Sequence, residues 1–578
     1  MTRRRSTFDS SSVVLGLCSF THDSAAALIV DGHLVGFAEE ERLVGDKHTK
    51  AYPAQAVDWL LAENGLTPEH VTAVGYNFQA YRYFAALAQV PGQLLRPAGR
   101  GRAVARARSF ARVAGRTTAR MRELSTRFPR ARVNAVQHHR AHGLYAFASA
   151  GYEDAAVLVA DSLGEVATTT IGYAHRTAAG ACGYRTVEAI ADPASLGYAY
   201  GAVTEHLGWR RGDEEGTVMA LAALGDPARF RAVLARAIAL TDTGFALDPT
   251  LLPLRVLSSR YARISDEFTA TTCRPRRADE PIEQVHRDLA AALQERTEQV
   301  MLHLARRARL ITASGLLCVG GGVAANCVAV GKIVEAGLFD EVHVPPAPGD
   351  SGTAIGAATA LHLAASGSLP TGVTDRCYLG PAYPDLALPD APRPGLAAHR
   401  PAEPATFLAR QLADGRLVGV FHGRLEAGPR ALGNRSMLAS PLLPDVVDRL
   451  NATVKFREPF RPFAPIVLAA SAADYFTLPQ PAPYMSIASQ VTELTRDRIP
   501  AVVHANDTAR VQTVTPEQNP FLAEVLAEFQ ALTGVPVLIN TSLNVKGKPI
   551  CGTPEMALDC LVGSGLDALM MEGWWVTK

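Results

Sequence analysis

The chain has 578 residues, more than one ordinary hydrophobic core accommodates, so two or three domains are expected. Its 57 Lys and Arg against 56 Asp and Glu leave a net charge of +1, which argues against a general nucleic-acid or membrane-surface protein. No uncharged apolar run approaches the ~20 residues needed to cross a bilayer, MTRRRSTFDSSS has no apolar stretch after its arginines, and the eight cysteines form no CxxC pair. A cytoplasmic chain with reduced core thiols is expected, with neither a zinc cluster nor a disulfide framework.

In chain order, VVLGL (13–17) reads as a buried strand, and SAAALIVDGHLVGFAEEER as two strands joined by a two-residue Asp31-Gly32 hairpin. Between Arg96 and Arg132 arginines are dense, with 108, 112, 116 and 120 at i,i+4 spacing and Glu123 the only acid. A solvated helix face is the first reading, nucleic acid or an anionic ligand the other. QHHRAHGLYAFASAG sets His138 and His142 on one helix face, a spacing that can grip a metal ion and that satisfied core or surface histidines also produce. AAVLVADSLGEVATTTIGYAH (155–175) is an apolar strand reaching Asp161, a turn, then a Thr-rich strand. LLCVGGGVAANCVAVGKIVEAG (316–337) is a strand, a glycine turn and a helix, and VHVPPAPGDSGTAIGAATALHL, with Asp350, repeats that order. Alternating strands and helices, with the strand-turn-strand unit appearing twice, predict an α/β fold of duplicated halves around a cleft.

The segment 363–400 is rich in Pro, Gly and small residues, as a connection is, and a second mixed α/β region follows a boundary near 370. Asp161 and Asp350 sit where an α/β sheet presents side chains to a cleft, or are turn-forming aspartates. With the two histidines they would suit iron, manganese or zinc. Gly320, Gly321 and Gly322, opening a helix, could let a nucleotide's phosphates approach the backbone, and close helix packing explains them equally well. In NATVKFREPFRPFAP (451–465), Lys455, Arg457 and Arg461 stand among three prolines that fix the backbone and three phenylalanines that can anchor it. Cations held in this way suit phosphate or carboxylate, although a packed loop whose guanidiniums bond carbonyls has the same pattern. Arg430, Arg435, Arg510, Asn540, Thr541, Ser542 and Asn544 complete an anion pocket with little carboxylate to act as a general base.

HDSAAALIVDGHLVGFAEEER, HHRAH, GGVAANC, GDSGTAIGAA, EAGPRALGNRS, VKFREPFRPFAP and NTSLNVKGKPI, in that order, resemble the NodU/CmcH-type O-carbamoyltransferases, from about residue 13 to the C-terminus. The resemblance implies an actin-like (ASKHA) duplicated domain at 1–365 with an insertion at about 77–132, a linker at 366–400 and a YrdC-like α/β domain at 401–578. It implies that carbamoyl phosphate and ATP, with Mg²⁺, give carbamoyladenylate in the second domain. The first domain then carries the carbamoyl group to a hydroxyl of an antibiotic or sugar-containing metabolite. By motif, Lys455 and Arg461 are catalytic and share the binding of carbamoyl phosphate and ATP with Arg430, Arg457, Arg510, Asn540 and Ser542. His138, His142, Asp161 and Asp350 match the ligands of a divalent metal, iron first, with manganese or zinc as alternatives. His22 matches the histidine implicated in transfer, where an imidazole can take the acceptor's proton. Lys47 and His48, with Gly320, Gly321, Gly322 and Asn326, fall at the nucleotide site of the actin-like domain. The chain departs from the family pattern at Thr217, where lysine is typical, at Val330, where asparagine often stands, and in HANDTAR. The rival readings are an ASKHA-type small-molecule kinase and a tRNA-modifying, threonylcarbamoyl transferase-like factor. A monomer or small homo-oligomer is expected, without membrane or nucleic-acid partners.

Overall fold

The computed structural model describes residues 12–20, 23–95, 97–177, 180–258 and 260–578. The fully buried VVLGLC run forms β1 (Val13–Cys18) at the centre of the first sheet. It pairs antiparallel with β2 (Ala25–Val30), which turns into β3 (His33–Glu39) through Asp31 and Gly32, both at positive φ (48° and 78°), the type I′ geometry of a two-residue hairpin. β4 (Ala73–Tyr76) and β5 (Arg132–Ala135) add in parallel on the other side, giving the order β3-β2-β1-β4-β5.

The second sheet repeats this plan. β6 (Asp154–Gly164), β7 (Ala167–Arg176) and β8 (Cys182–Ala191) form the antiparallel arm. After a separate hairpin of β9 (Ile238–Thr241) and β10 (Gly244–Leu247), β11 (Leu316–Gly320) and β12 (Glu341–His343) add in parallel beside β6. The order β8-β7-β6-β11-β12 is that of the first sheet strand for strand, as the recurring strand-turn-strand pattern predicts.

Two buried helices pack side by side between the sheets, His138–Ala150 and Thr353–Ser366. Gly356 makes their close approach possible, because a Cβ there would lie 1.8 Å from the carbonyl oxygen of Ala141. This packing sets the first two turns of one helix, with His138 and His142, beside Asp350, which precedes the other.

The remaining strands are β13 (Ala397–His399), β14 (Val418–Phe421), β15 (Arg435–Ala439), β16 (Ala464–Leu468), β17 (Ala488–Gln490), β18 (Thr508–Arg510), β19 (Gln512–Val514), β20 (Val537–Ser542), β21 (Ala568–Met571) and β22 (Trp574–Thr577). Eight of them make one mixed sheet, β13-β22-β21-β14-β15-β20-β16-β19, while β17 and β18 pair separately. The segment 367–396 carries no strand or helix among the described residues, yet it is tied down, because Thr371 bridges to His33 and Tyr378 to Glu426. Residues 397–399 of the expected connection form edge strand β13. All eight cysteines are free, six of them buried, and no described helix is long and apolar enough to cross a membrane.

Candidate functional site

The two histidines and two aspartates singled out in the sequence converge. His138 Nε2 lies 3.3 Å from Asp161 Oδ2 and 3.4 Å from Asp350 Oδ1, and His142 Nε2 lies 3.1 Å from His138 Nε2 and 3.7 Å from Asp350 Oδ1. Asp161 reaches this point because the pairing of β6 with β7 slips between Ala160 and Gly164, a bulge that turns the strand end into the cleft. A backbone carbonyl fixes the first histidine, as His138 Nδ1 lies 3.3 Å from the oxygen of Asn77, which leaves Nε2 to face the aspartates. Glu165 accepts from the backbone N–H of His138 (3.2 Å) and of Gln79 (2.9 Å), and Gly322 N–H donates to Asp161 Oδ1 (3.3 Å).

These residues fit a divalent metal. All four ligand atoms lie within 4.8 Å of one another. Separations of 3.1–3.7 Å match the edges of a coordination shell with bonds of about 2.0–2.2 Å. Burial pulls the His138 imidazole down, but the charges and hydrogen bonds of Asp350 and Asp161 outweigh it and hold it up at about 10, so the pair of carboxylates favours positive charge at this point.

Behind Asp161 lies a buried relay. Arg255 donates to Ser162 O (2.8 Å) and Oγ (2.9 Å), and Asp192 pairs with both Arg255 (3.6 Å) and Arg106. Arg106 belongs to the arginine-rich helix Pro97–Arg127, which therefore does more than face solvent. Arg108, Arg112 and Arg116 are exposed, but Arg120 is buried, with its guanidinium 4.3 Å from the Phe20 ring centre.

Lys47 and His48 occupy the mouth of the same cleft. Lys47 Nζ pairs with Asp213, and His48 bridges Asp23 Oδ1 (2.6 Å, through Nδ1) and Asp213 Oδ1 (2.9 Å, through Nε2). Asp23, Glu41 and His48 also bring ligand atoms within 4.8 Å of one another, but His48, held up at about 10, answers Asp23, and Arg42 lies 3.4 Å from Glu41. Asp213 escaped sequence reading because its partners lie 165 residues away; the acid run GDEEG was the available signal. His22 lies outside the described residues.

Of the glycine turn, Gly321 is at φ 87°, where a Cβ would lie 2.3 Å from the carbonyl oxygen of Ala160. Gly320 ends β11 and Gly322 opens the following turn. Asn326 caps the helix Cys327–Glu335 through Ala329 N–H (3.0 Å) and exchanges amide bonds with Gln294 (3.0 and 3.1 Å), so its side chain is committed locally. Thr217 and Val330 are fully buried; no hydrogen-bond partner is resolved for the Thr217 hydroxyl among the described residues.

A second site lies in the eight-stranded sheet. A π-type turn at Leu450–Lys455 followed by Phe456 at φ 47° delivers Lys455 to the end of β20, where Nζ donates to Ser542 O and Oγ (3.2 Å) and to Asn544 O (3.2 Å) and Oδ1 (2.8 Å). Arg430, Arg457, Arg461 and Arg510 stand half-buried around it. Burial and then the charges of Arg510 and Arg461 pull Arg430 down to about 9, and burial, Arg461 and Arg510 do the same to Arg457. Arg457 also bonds Asn451 Oδ1 (2.8 Å) and lies 4.5 Å from the Phe463 ring centre, which anchors it as the sequence pattern predicts. Asn540 spends its amide N–H groups on Ala431 O (3.1 Å) and Gln512 Oε1 (2.7 Å), leaving its oxygen open.

Arg435, grouped with this pocket in the sequence, turns the other way. Its guanidinium is fully buried, bonds the carbonyls of His422, Asn434, Pro381 and Gly423 and lies 3.6 Å from the Phe421 ring centre. The two sites share a wall, since Arg430 donates to Ala325 O (3.5 Å) of the glycine turn and Trp209 Nε1 donates to Glu458 Oε1 (3.2 Å).

The cluster of two histidines and two aspartates and the neighbouring cation site both lie within stretches that match known families. Residues 13–359 match the family described as carbamoyltransferase N-terminus and residues 409–578 the one described as carbamoyltransferase C-terminus. The chain is similar to an uncharacterized protein of Synechocystis sp., 33% identical over 98% of this chain and 96% of that one. It is also similar to nodulation protein NolNO of Sinorhizobium fredii, 32% identical over 97% of this chain and 79% of that one. Nodulation protein U of Rhizobium tropici is 42% identical over 45% of this chain and 44% of its own. The chain belongs to the NodU-type carbamoyltransferase family and is a carbamoyltransferase.

Proposed function

We propose that this carbamoyltransferase makes carbamoyladenylate among Lys455, Arg430, Arg457, Arg461, Arg510, Asn540 and Ser542, then transfers the carbamoyl group to a hydroxyl of a small-molecule acceptor in the N-terminal cleft. In this reading residues 1–365 are an actin-like transfer domain and 401–578 a YrdC-like adenylate-forming domain, joined by 366–400. The observation that carries it is the crowd of half-buried cations around Lys455. Burial and the charge of neighbouring guanidiniums pull Arg430, Arg457 and Arg461 down, and a bound anion would relieve that repulsion.

Carbamoyl phosphate, ATP and water give carbamoyladenylate, phosphate and pyrophosphate, and every departing group is anionic. Lys455, oriented by Ser542 and Asn544, and the guanidiniums neutralise that charge as it develops. The open oxygen of Asn540 suits the carbamoyl N–H₂. In the cleft, the acceptor hydroxyl attacks the carbamoyl carbon, its proton passes to His22, and AMP leaves. Lys47, held by Asp213, meets the nucleotide beside the glycine turn, whose Gly321 and Gly322 amides are given to Pro348 O and to the Asp161 carboxylate. A divalent metal on His138, His142, Asp161 and Asp350 supplies, when bound, neutralising charge for a phosphate. The proximity of Arg430 to Ala325 suits a passage closed to water between the sites.

Incubation of the protein with ATP, Mg²⁺ and carbamoyl phosphate, without acceptor, tests this. Pyrophosphate and a carbamoyl-AMP mass are expected. Formation of ADP alone would overturn the reading in favour of a kinase.

A further inference from the structure

Glu458 is the only acid in the cation loop, where its charge opposes the binding of any anion. The structure ties it to the other half of the molecule. Its Oε1 accepts from Trp209 Nε1 (3.2 Å), and its Oε2 lies 3.9 Å from Arg461 Nη1. Trp209 is 6% exposed and its ring lies 4.5 Å from the Arg276 guanidinium, so the indole is held on both sides. Phe460, two residues on, packs against the hydrophobic core of the second sheet. Four residues beyond Trp209, Asp213 pairs with Lys47 and His48 at the mouth of the cleft, and its charge and that of Glu214 reach Arg461.

The loop is thus two-faced. Lys455 and Arg457 look into the anion site, while Glu458 and Phe460 grip the transfer half. The joint between the faces is conformationally costly: a π-type turn runs into Phe456, a non-glycine residue at φ 47° and 49% exposed, a backbone state kept only where surrounding contacts enforce it. A loop held in this way reports on whatever its cations bind.

We propose that Glu458 is a positioning residue. Held by Trp209 and facing Arg461, it links occupancy of the anion site to the 209–214 loop, so that the mixed anhydride is retained for transfer instead of escaping to water. This deepens the adenylate reading and rests on it for the identity of the retained species. The link between loop and cleft stands on the contacts alone.

Two measurements on the full chain separate the inference from that reading. The emission of Trp209, taken as wild type minus Trp209→Phe, is followed while inorganic phosphate or carbamoyl phosphate is added. It is expected to shift in the wild type and to stay within a tenth of that shift in Glu458→Gln, which keeps an oxygen for the indole N–H but loses the charge on Arg461. An unresponsive wild-type Trp209, or an equal response in Glu458→Gln, would overturn the link whatever the reaction proves to be. With ATP and carbamoyl phosphate and no acceptor, the wild type is expected to release about one pyrophosphate per chain and then slow. Glu458→Gln and Trp209→Phe are expected to keep that first turnover within about twofold and to run at least about fivefold faster afterwards, with carbamoyl-AMP or its breakdown products free in solution. A later phase no faster than wild type in both variants, or loss of the first turnover itself, would refute the retention role. Absence of any pyrophosphate from the wild type would instead count against the adenylate reading.

Discussion

Burial, and then the neighbouring charge of Arg457, pulls the Lys455 ammonium down from the ordinary lysine range to about 7. At pH 8 the ligand-free side chain is therefore largely neutral, and an arriving phosphate restores its proton. Binding of carbamoyl phosphate at pH 8 is expected to take up close to one proton per site, falling towards zero at pH 6 and abolished in Lys455→Met. Calorimetry in buffers of different ionisation enthalpy checks this, and uptake that survives in the variant would exclude Lys455 as its source. The motif around this lysine was legible because proline and phenylalanine fix a loop by local geometry. The fate of Arg435 was not, since the same residue type after the same kind of tight turn points into carbonyls. Which way a guanidinium turns is decided by residues such as Phe421 and Pro381, at sequence distances that no motif spans.

Among the elements, the glycine turn after β11 has the narrowest tolerance. Gly321 combines φ 87° with backbone contact at Ala160, the residue before Asp161, and the next amide, Gly322 N–H, bonds the Asp161 carboxylate. Its glycine is needed for close packing against β6, one of the two explanations that the sequence allowed. Gly321→Ala is expected to cost at least about 1–3 kcal/mol of stability in a denaturant titration, from the strained φ and the displaced strand. It is also expected to weaken metal binding by about 10–100-fold in equilibrium dialysis, because Asp161 loses its fixed orientation. A variant with wild-type stability would show that the turn relaxes freely. The arginine-rich helix marks the limit of periodicity as evidence: its i,i+4 stripe is real, with three members in solvent, but the stripe gave no sign that Arg106 would bury against Asp192 or that Arg120 would stack on Phe20.

For the whole molecule, the repeated strand order was readable from the recurrence of hairpin signals, because each half repeats the same local rules. The clamp across the cleft was not readable, because it joins Asp23 in one half to Asp213 in the other through His48. Burial pulls the His48 imidazole down, but its hydrogen bonds to Asp213 and Asp23 and their charges outweigh that and hold it up at about 10. A histidine raised in the folded state stabilises fully below its unfolded value near 6.5 and loses that contribution as pH rises through about 10. His48→Gln is therefore expected to lower stability at pH 6, on the order of 2 kcal/mol after allowing for a side chain that is 22% exposed. Between pH 8 and 10.5 the gap from wild type is expected to shrink as the native imidazolium deprotonates. Denaturant midpoints measured across that range decide the matter, and a gap that stays constant with pH would mean that His48 holds the halves together by packing and neutral hydrogen bonds instead of by charge.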